Sequence, residues 1–185
     1  HTNIMAILTD AIPKNEQRAL LDKILNEEDL LQATYYYRFY LFEAIKKVDA
    51  PELFDAVQKP WEKMIDDNMT TTLERFESAE KPTRSEVHPW SASPAYFYFN
   101  YLAGIQSVKN NFEEVRIAPV FGKLHAMEGI LPTPNGNIIF NLKRTKNKLT
   151  AEIKIPETMT GTLVWQGTEI ALSKGNKTYK LKGSK

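Results

Sequence analysis

The sequence predicts a chain with α-helices first and an antiparallel β-sandwich after them. Three observations carry this. Up to about residue 110, apolar residues recur at helical spacing, and amphipathic helices alternate with helices that are apolar on every side. Beyond Asn110-Asn111 the apolar period changes from that of a helix to that of a strand. Turn signals of Pro, Asn and Gly then follow at short intervals. The change of period sets the expected boundary, with residues 1–111 helical and residues 112–185 a sandwich domain.

The first helix is expected over residues 2–12 and stops at Pro13, which lacks an amide donor and pushes its predecessor out of helical geometry. Ile4, Met5, Leu8 and Ala11 have helical spacing from the outset, so the chain is expected to begin inside an element, as part of a longer polypeptide. Asn15 is placed to cap a second helix with Ala19, Leu20, Ile24 and Leu25 on its apolar stripe. A third helix runs from about Asp29 to Lys47, and its Thr34–Phe42 segment is aromatic on all sides, the mark of a helix buried on most faces. Its tyrosines and Arg38 suit either a sugar- or nucleobase-stacking site or a core whose hydroxyls find backbone partners.

A fourth helix begins at Pro51 behind Asp49, uses Leu53, Val57, Trp61, Met64 and Ile65 as its stripe, and is kinked by Pro60. A fifth is capped by Ser91 or Ser93, carries Pro94 in its first turn and an aromatic body from Tyr96 to Leu102, and ends at Gly104. Alternating outer and inner helices suit a barrel of two concentric helical rings, and five helices are too few to close one.

In the second part, Val115 and Ile117 alternate with polar neighbours. Pro132-Thr133-Pro134-Asn135-Gly136 then turns tightly into Ile138, Phe140 and Leu142. Leu149, Ala151, Ile153 and Ile155 form the next alternating run, and shorter strands follow at Thr162–Gln166, Thr168–Ser173 and Thr178–Lys182. About seven short strands at this spacing argue for an antiparallel sandwich.

Composition narrows the function. A net charge of +1 with no long block of one sign lacks the footprint of a nucleic-acid binder, and the Lys-rich run from Lys174 reads as a solvated strand and terminus. With no cysteine, disulfides, zinc–thiolate sites and thiol nucleophiles are excluded. No apolar run approaches a membrane span, and neither a metal-ligand spacing nor a phosphate-cradling loop stands out, so no metal or cofactor is expected.

The chemistry gathers in Asn68–Ala95. Glu74 follows a threonine run and neighbours Arg75, and Thr71-Thr72-Leu73-Glu74 also fits a capping box, which makes Glu74 either a functional carboxylate or a helix cap. His88 sits in His-Pro-Trp-Ser, where proline fixes the loop and Trp90 offers a stacking face and one donor. Asp66, Asp67, Glu77 and Glu80 are further acidic candidates in solvated-looking segments.

Several motifs in series, Asn68–Phe76, Arg84–Pro94, Ala103-Gly104-Ile105, Val115–Pro119, Gly122-Lys123-Leu124 and Gly129–Ile138, resemble the C-terminal part of the inverting α-L-rhamnosidase family. The resemblance implies closing helices of an (α/α)6 catalytic barrel, followed by the family's C-terminal sandwich. It also implies that Glu74 is the general base, that His88, Trp90 and Arg75 contact the sugar or its water, and that the substrate is a rhamnose-containing glycoside or polysaccharide. The family's general-acid segment, rich in Asp and Arg, is not in the chain, and Leu73 stands where many members have Trp. These residues are therefore expected to need a preceding part of the same polypeptide and to be inactive alone. A periplasmic or secreted site is the expectation that suits such an enzyme. The alternatives are a carbohydrate-binding or scaffolding sandwich, for which Phe140, Trp165 and Tyr179 are few aromatics, and an interaction protein using uncovered helix faces.

Overall fold

The computed structural model of the chain describes residues 1–76 and 82–183, which fall into two compact units, His1–Phe97 and Tyr98–Lys185. In the first unit the helices are α1 (Thr2–Leu8), α2 (Lys14–Asn26), α3 (Tyr35–Lys47), α4 (Phe54–Gln58), α5 (Glu62–Asp66) and α6 (Ser93–Phe97). Helix α3 is the hub, with α1, α4 and α6 packed against it. Its Tyr35, Arg38, Leu41, Phe42 and Ile45 share one buried face at helical spacing. Phe42 carries that face into the core, with its ring centroid 4.9 Å from Phe54 and 4.8 Å from Phe97. The other face, bearing Tyr36, Tyr37 and Tyr40, stays at least partly exposed, so α3 is two-faced rather than buried on most sides.

Local chemistry moves several expected boundaries. Helix α1 ends at Leu8 because Asp10 adopts a left-handed φ of 56° and the Ala11 amide turns back to the Ala6 carbonyl, a Schellman-like close. Pro13, not Asn15, is the N-cap of α2. The third helix starts at Tyr35 rather than near Asp29. The fourth is broken by 3₁₀ turns at Pro51–Leu53 and Lys59–Trp61, the second holding Pro60. That break shifts the helical phase, which keeps Val57, Trp61 and Met64 buried and leaves Ile65 exposed. The hydroxyls of Ser91 and Ser93 are buried without a partner, so neither caps α6. No helix of the described residues is long and apolar enough to cross a membrane.

The second unit opens with a π turn at Tyr98–Leu102 and then Gly104, whose φ of 67° suits glycine. The Ala118 amide donates to the Gly104 carbonyl at 3.0 Å, and a Cβ at Gly104 would overlap the Ala118 backbone. The strands are β1 (Ile105–Ser107), β2 (Glu114–Ile117), β3 (Ala126–Thr133), β4 (Gly136–Thr145), β5 (Lys148–Ile155), β6 (Thr160–Trp165), β7 (Thr168–Ala171) and β8 (Gly175–Lys182). They form two four-stranded sheets, ordered β1-β2-β6-β7 and β3-β4-β5-β8. Ile117 and Leu163 from one sheet share a core with Ile138, Leu142, Leu149 and Ile153 from the other.

One pairing corrects the expectation of a wholly antiparallel sandwich: β2 and β6 run parallel. The chain between them passes through β3, β4 and β5 in the other sheet, which supplies the long crossover that parallel neighbours need. Thr133 faces Gly136, so Pro134 and Asn135 form the two-residue loop of a hairpin. Pro132 is tolerated in β3 because that strand lies at a sheet edge.

Candidate active site in the helical unit

Thr71–Glu74 and Ser85–His88 run past each other as a clasp. The Glu74 amide donates to the Ser85 carbonyl at 2.9 Å and the His88 amide to the Thr72 carbonyl at 2.8 Å. The threonine hydroxyls reinforce it, Thr71 donating to the Glu86 carbonyl and Thr72 to that of His88 at 2.6 Å. Those hydroxyls are therefore not capping amides, and residues 71–76 are not helical, so the capping-box reading of Glu74 gives way. Leu73 is buried in the interior.

The clasp leaves Glu74 with its side chain only 7% exposed, against an Arg84 side chain that is 70% exposed. Arg84 Nη2 donates to Oε1, and Arg84 Nε donates to Oε2 at 3.2 Å, so one guanidinium spans both carboxylate oxygens. This hydrogen-bonded guanidinium holds the Glu74 carboxyl below its ordinary range. Burial opposes the shift, and the electrostatic influence of Arg84, His88 and Arg75 adds to it. The same pairing raises Arg84.

Arg75 points its Nε and Nη2 donors at the Pro82 carbonyl, at 3.1 and 2.7 Å, and so ties down the far side of the loop. Beyond the clasp, the Trp61 indole donates to the Ser91 carbonyl at 2.6 Å, fixing the His-Pro-Trp-Ser turn. The His88 ring lies 4.1 Å from that of Trp90, and Trp90 lies 5.1 Å from Tyr36 on the exposed face of α3. Trp90 and Tyr36 are each 45% exposed. The buried His88 Nδ1 has no protein partner, which leaves a polar atom for water or a ligand hydroxyl to satisfy. Glu74, His88 and Trp90 are thus gathered by one clasp and turn, Tyr36 joins them, and Arg75 faces the loop backbone.

A groove of about 760 Å³ runs alongside, lined by Tyr35, Arg38, Lys59, Asp66, Asp67 and Phe76 among others. Arg38 is buried there, donating to the carbonyls of Ala33 at 3.0 Å and Val57 at 2.9 Å, and burial pushes its guanidinium down to about 10. Of the two readings the sequence left open for Arg38, the structural one therefore holds over the stacking site. Asp67 is paired with Lys63 at 2.6 Å on the surface, and Glu77 and Glu80 lie outside the described residues. No group of three or more His, Asp or Glu among the described residues is placed to hold a metal ion. In the second unit Phe140 and Trp165 are buried, and the Tyr179 hydroxyl accepts the Ser173 amide at 2.7 Å, so these three make no exposed aromatic platform.

Reading the residues alone missed the pairing of Arg84 with Glu74, ten positions apart, because fold-back of the clasp is needed to join the two.

Residues 104–180 match the family described as the bacterial α-L-rhamnosidase C-terminal domain. No curated protein matches the sequence. Among solved structures, the native α-L-rhamnosidase of Aspergillus terreus superimposes with a TM-score of 0.79 at 16% identity, over 97% of this chain and 23% of its own. The α-L-rhamnosidase of Dictyoglumus thermophilum gives 0.71 at 18% identity, over 97% and 25% of the two chains. The rhamnosidase of Bacillus sp. GL1 gives 0.74 at 24% identity, over 88% and 18%. The chain thus spans a quarter or less of the length of these enzymes. It is similar in sequence, over residues 104–180, to the bacterial α-L-rhamnosidase C-terminal domain, and similar in fold, over nearly its whole length, to the C-terminal part of an α-L-rhamnosidase-type protein.

Proposed function

We propose that the chain supplies the water-activating half of an inverting α-L-rhamnosidase active site, with Glu74 as general base. The observation that carries this reading is a buried carboxylate kept ionised beside a histidine and an exposed tryptophan. An ionised Glu74 accepts a proton from water as that water attacks the anomeric carbon. A general acid on the opposite face protonates the departing glycosidic oxygen, and the two carboxyls stand roughly 6.5–9.5 Å apart to admit the water.

Trp90 offers its face to the apolar side of the sugar ring, with Tyr36 beside it, and the unpartnered His88 Nδ1 meets a hydroxyl or the attacking water. Arg75 reaches the sugar only with the edge of its guanidinium that the Pro82 carbonyl leaves open. The helices of residues 1–111 are read as barrel-closing helices and the acid as the contribution of a preceding segment of the polypeptide. The substrate is a terminal α-L-rhamnoside of a glycoside or polysaccharide.

Acid–base assistance is worth about 10²–10⁴-fold per group, so these 185 residues alone are expected to hydrolyse little. The experiment is an assay of the purified chain on a nitrophenyl α-L-rhamnoside, with and without an acid-bearing barrel segment. Nitrophenol release only in the combination is the expected result; robust release by the chain alone would overturn the division of labour.

A further inference from the structure

Nothing so far assigns Arg84 a part in turnover. We propose that Arg84 is the positioning residue of the base: its guanidinium spans both Glu74 oxygens and fixes the plane from which the carboxylate receives the proton of the attacking water. The inference rests on the reading of Glu74 as general base.

The clasp builds the pair. Because the Glu74 amide is bonded to the Ser85 carbonyl, the residue before Ser85 is carried alongside the Glu74 side chain. The Thr83 hydroxyl, donating to the Ser85 carbonyl at 2.9 Å, stiffens the same corner. Two parallel N–H···O contacts from one planar group define the orientation of a carboxylate, which a single ammonium cannot do. Each carboxylate oxygen has two acceptor sites, so one donor per oxygen leaves acceptor capacity for water.

The other titratable groups that act on Glu74 are Arg75 and His88. Arg75 is spent on the Pro82 carbonyl, so it does not replace the fork. The asymmetry of exposure sharpens the point. Arg84 is mostly in solvent, so replacing it disturbs little packing, yet it strips a buried carboxylate of its counter-charge. A pair that merely pinned the loop would leave the pH dependence of catalysis unmoved.

The test follows the Glu74 carboxyl carbon by NMR in the 185-residue chain as pH falls. In the unsubstituted chain the midpoint should lie below the ordinary glutamate value of about 4.3. It should rise to about that value or above in Arg84→Gln, rise less in Arg84→Lys, and move least in Arg75→Gln. An unsubstituted midpoint at or above the ordinary value overturns the proposal whether or not the variants fold, and so does an unmoved midpoint in a folded Arg84→Gln.

The second readout is the acid limb of kcat/KM in a complete rhamnosidase carrying this chain. Arg84→Gln should move that limb to higher pH and lower kcat, with Arg84→Lys restoring part of both. If Glu74→Gln inactivates while Arg84→Gln leaves the limb in place, the role of Arg84 fails and the base assignment survives. If Glu74→Gln keeps full turnover although the NMR midpoint responds to Arg84, the pairing is real but the catalytic reading falls, and the role of Arg84 in turnover falls with it.

Discussion

Glu74 is held between two opposing influences, and the guanidinium wins over burial. A carboxyl buried among apolar groups rises in pKa and is protonated at working pH; this one is lowered, chiefly by its hydrogen bond to Arg84. The sign for stability follows. Because the folded value is depressed, the stabilising contribution is fully present above the unfolded glutamate value of about 4.3 and is lost as pH falls through the lower folded value. Acid unfolding followed by circular dichroism should therefore begin at higher pH in Arg84→Gln than in the unsubstituted chain. Arg38 is a different case, a buried cation whose donors satisfy the carbonyls of Ala33 and Val57 and so tie α3 to α4. Arg38→Ala should cost about 3 kcal/mol, measured as a fall in the urea midpoint, because it removes charged donors and orphans two carbonyls. Of these residues, Glu74, His88 and Trp90 were singled out in the sequence, Glu74 as either a functional carboxylate or a helix cap, and the structure gathers them in one clasp and turn. The Arg84 fork was not, since it depends on the pairing of Thr71–Glu74 with Ser85–His88, which no spacing in the sequence reveals.

At the scale of elements, strict alternation was the most readable signal. Ile138, Phe140 and Leu142 on β4, and Leu149, Ala151, Ile153 and Ile155 on β5, all enter the sandwich core as their period of two requires. Leu142→Ala should cost about 3–5 kcal/mol in urea denaturation, while Ile139→Ala, on the outward face of the same strand, should cost less than about 1 kcal/mol. Equal effects would mean that the register of β4 is wrong. The neighbouring β3 was not read as a strand, and the reason is physical. As an edge strand it carries Gly129 and Pro132 and is at most half-buried along its length, so its inward positions Met127, Gly129 and Leu131 show no strong apolar period. The parallel β2–β6 pair was equally hidden, because alternation reports which face is buried and not which way a neighbour runs. In the helical unit, the Thr34–Phe42 segment was read as aromatic on all sides and so buried on most faces, whereas the packing of α1, α4 and α6 decides which face becomes core and which is left beside Trp90.

For the whole molecule, the division at Phe97–Tyr98 assigns the π turn and β1 to the unit of the sandwich, although both precede the change of period near Asn111. That unit has its own core from both sheets. Residues 98–185 expressed alone should give a dispersed amide spectrum and one cooperative urea transition; a collapsed spectrum would show that the sandwich depends on the helices. The proposed catalysis divides differently from folding. The proposed base and its aromatic neighbours lie in the helical unit, and the family-matched residues 104–180 lie in the other, so the sandwich contributes none of the residues proposed to touch the sugar. The most direct test of this account is the turnover of a nitrophenyl α-L-rhamnoside by a complete rhamnosidase carrying Glu74→Gln, with its fold checked by circular dichroism. A loss of about 10²–10⁴-fold in kcat with the fold intact is the predicted result, and near-normal turnover would contradict it.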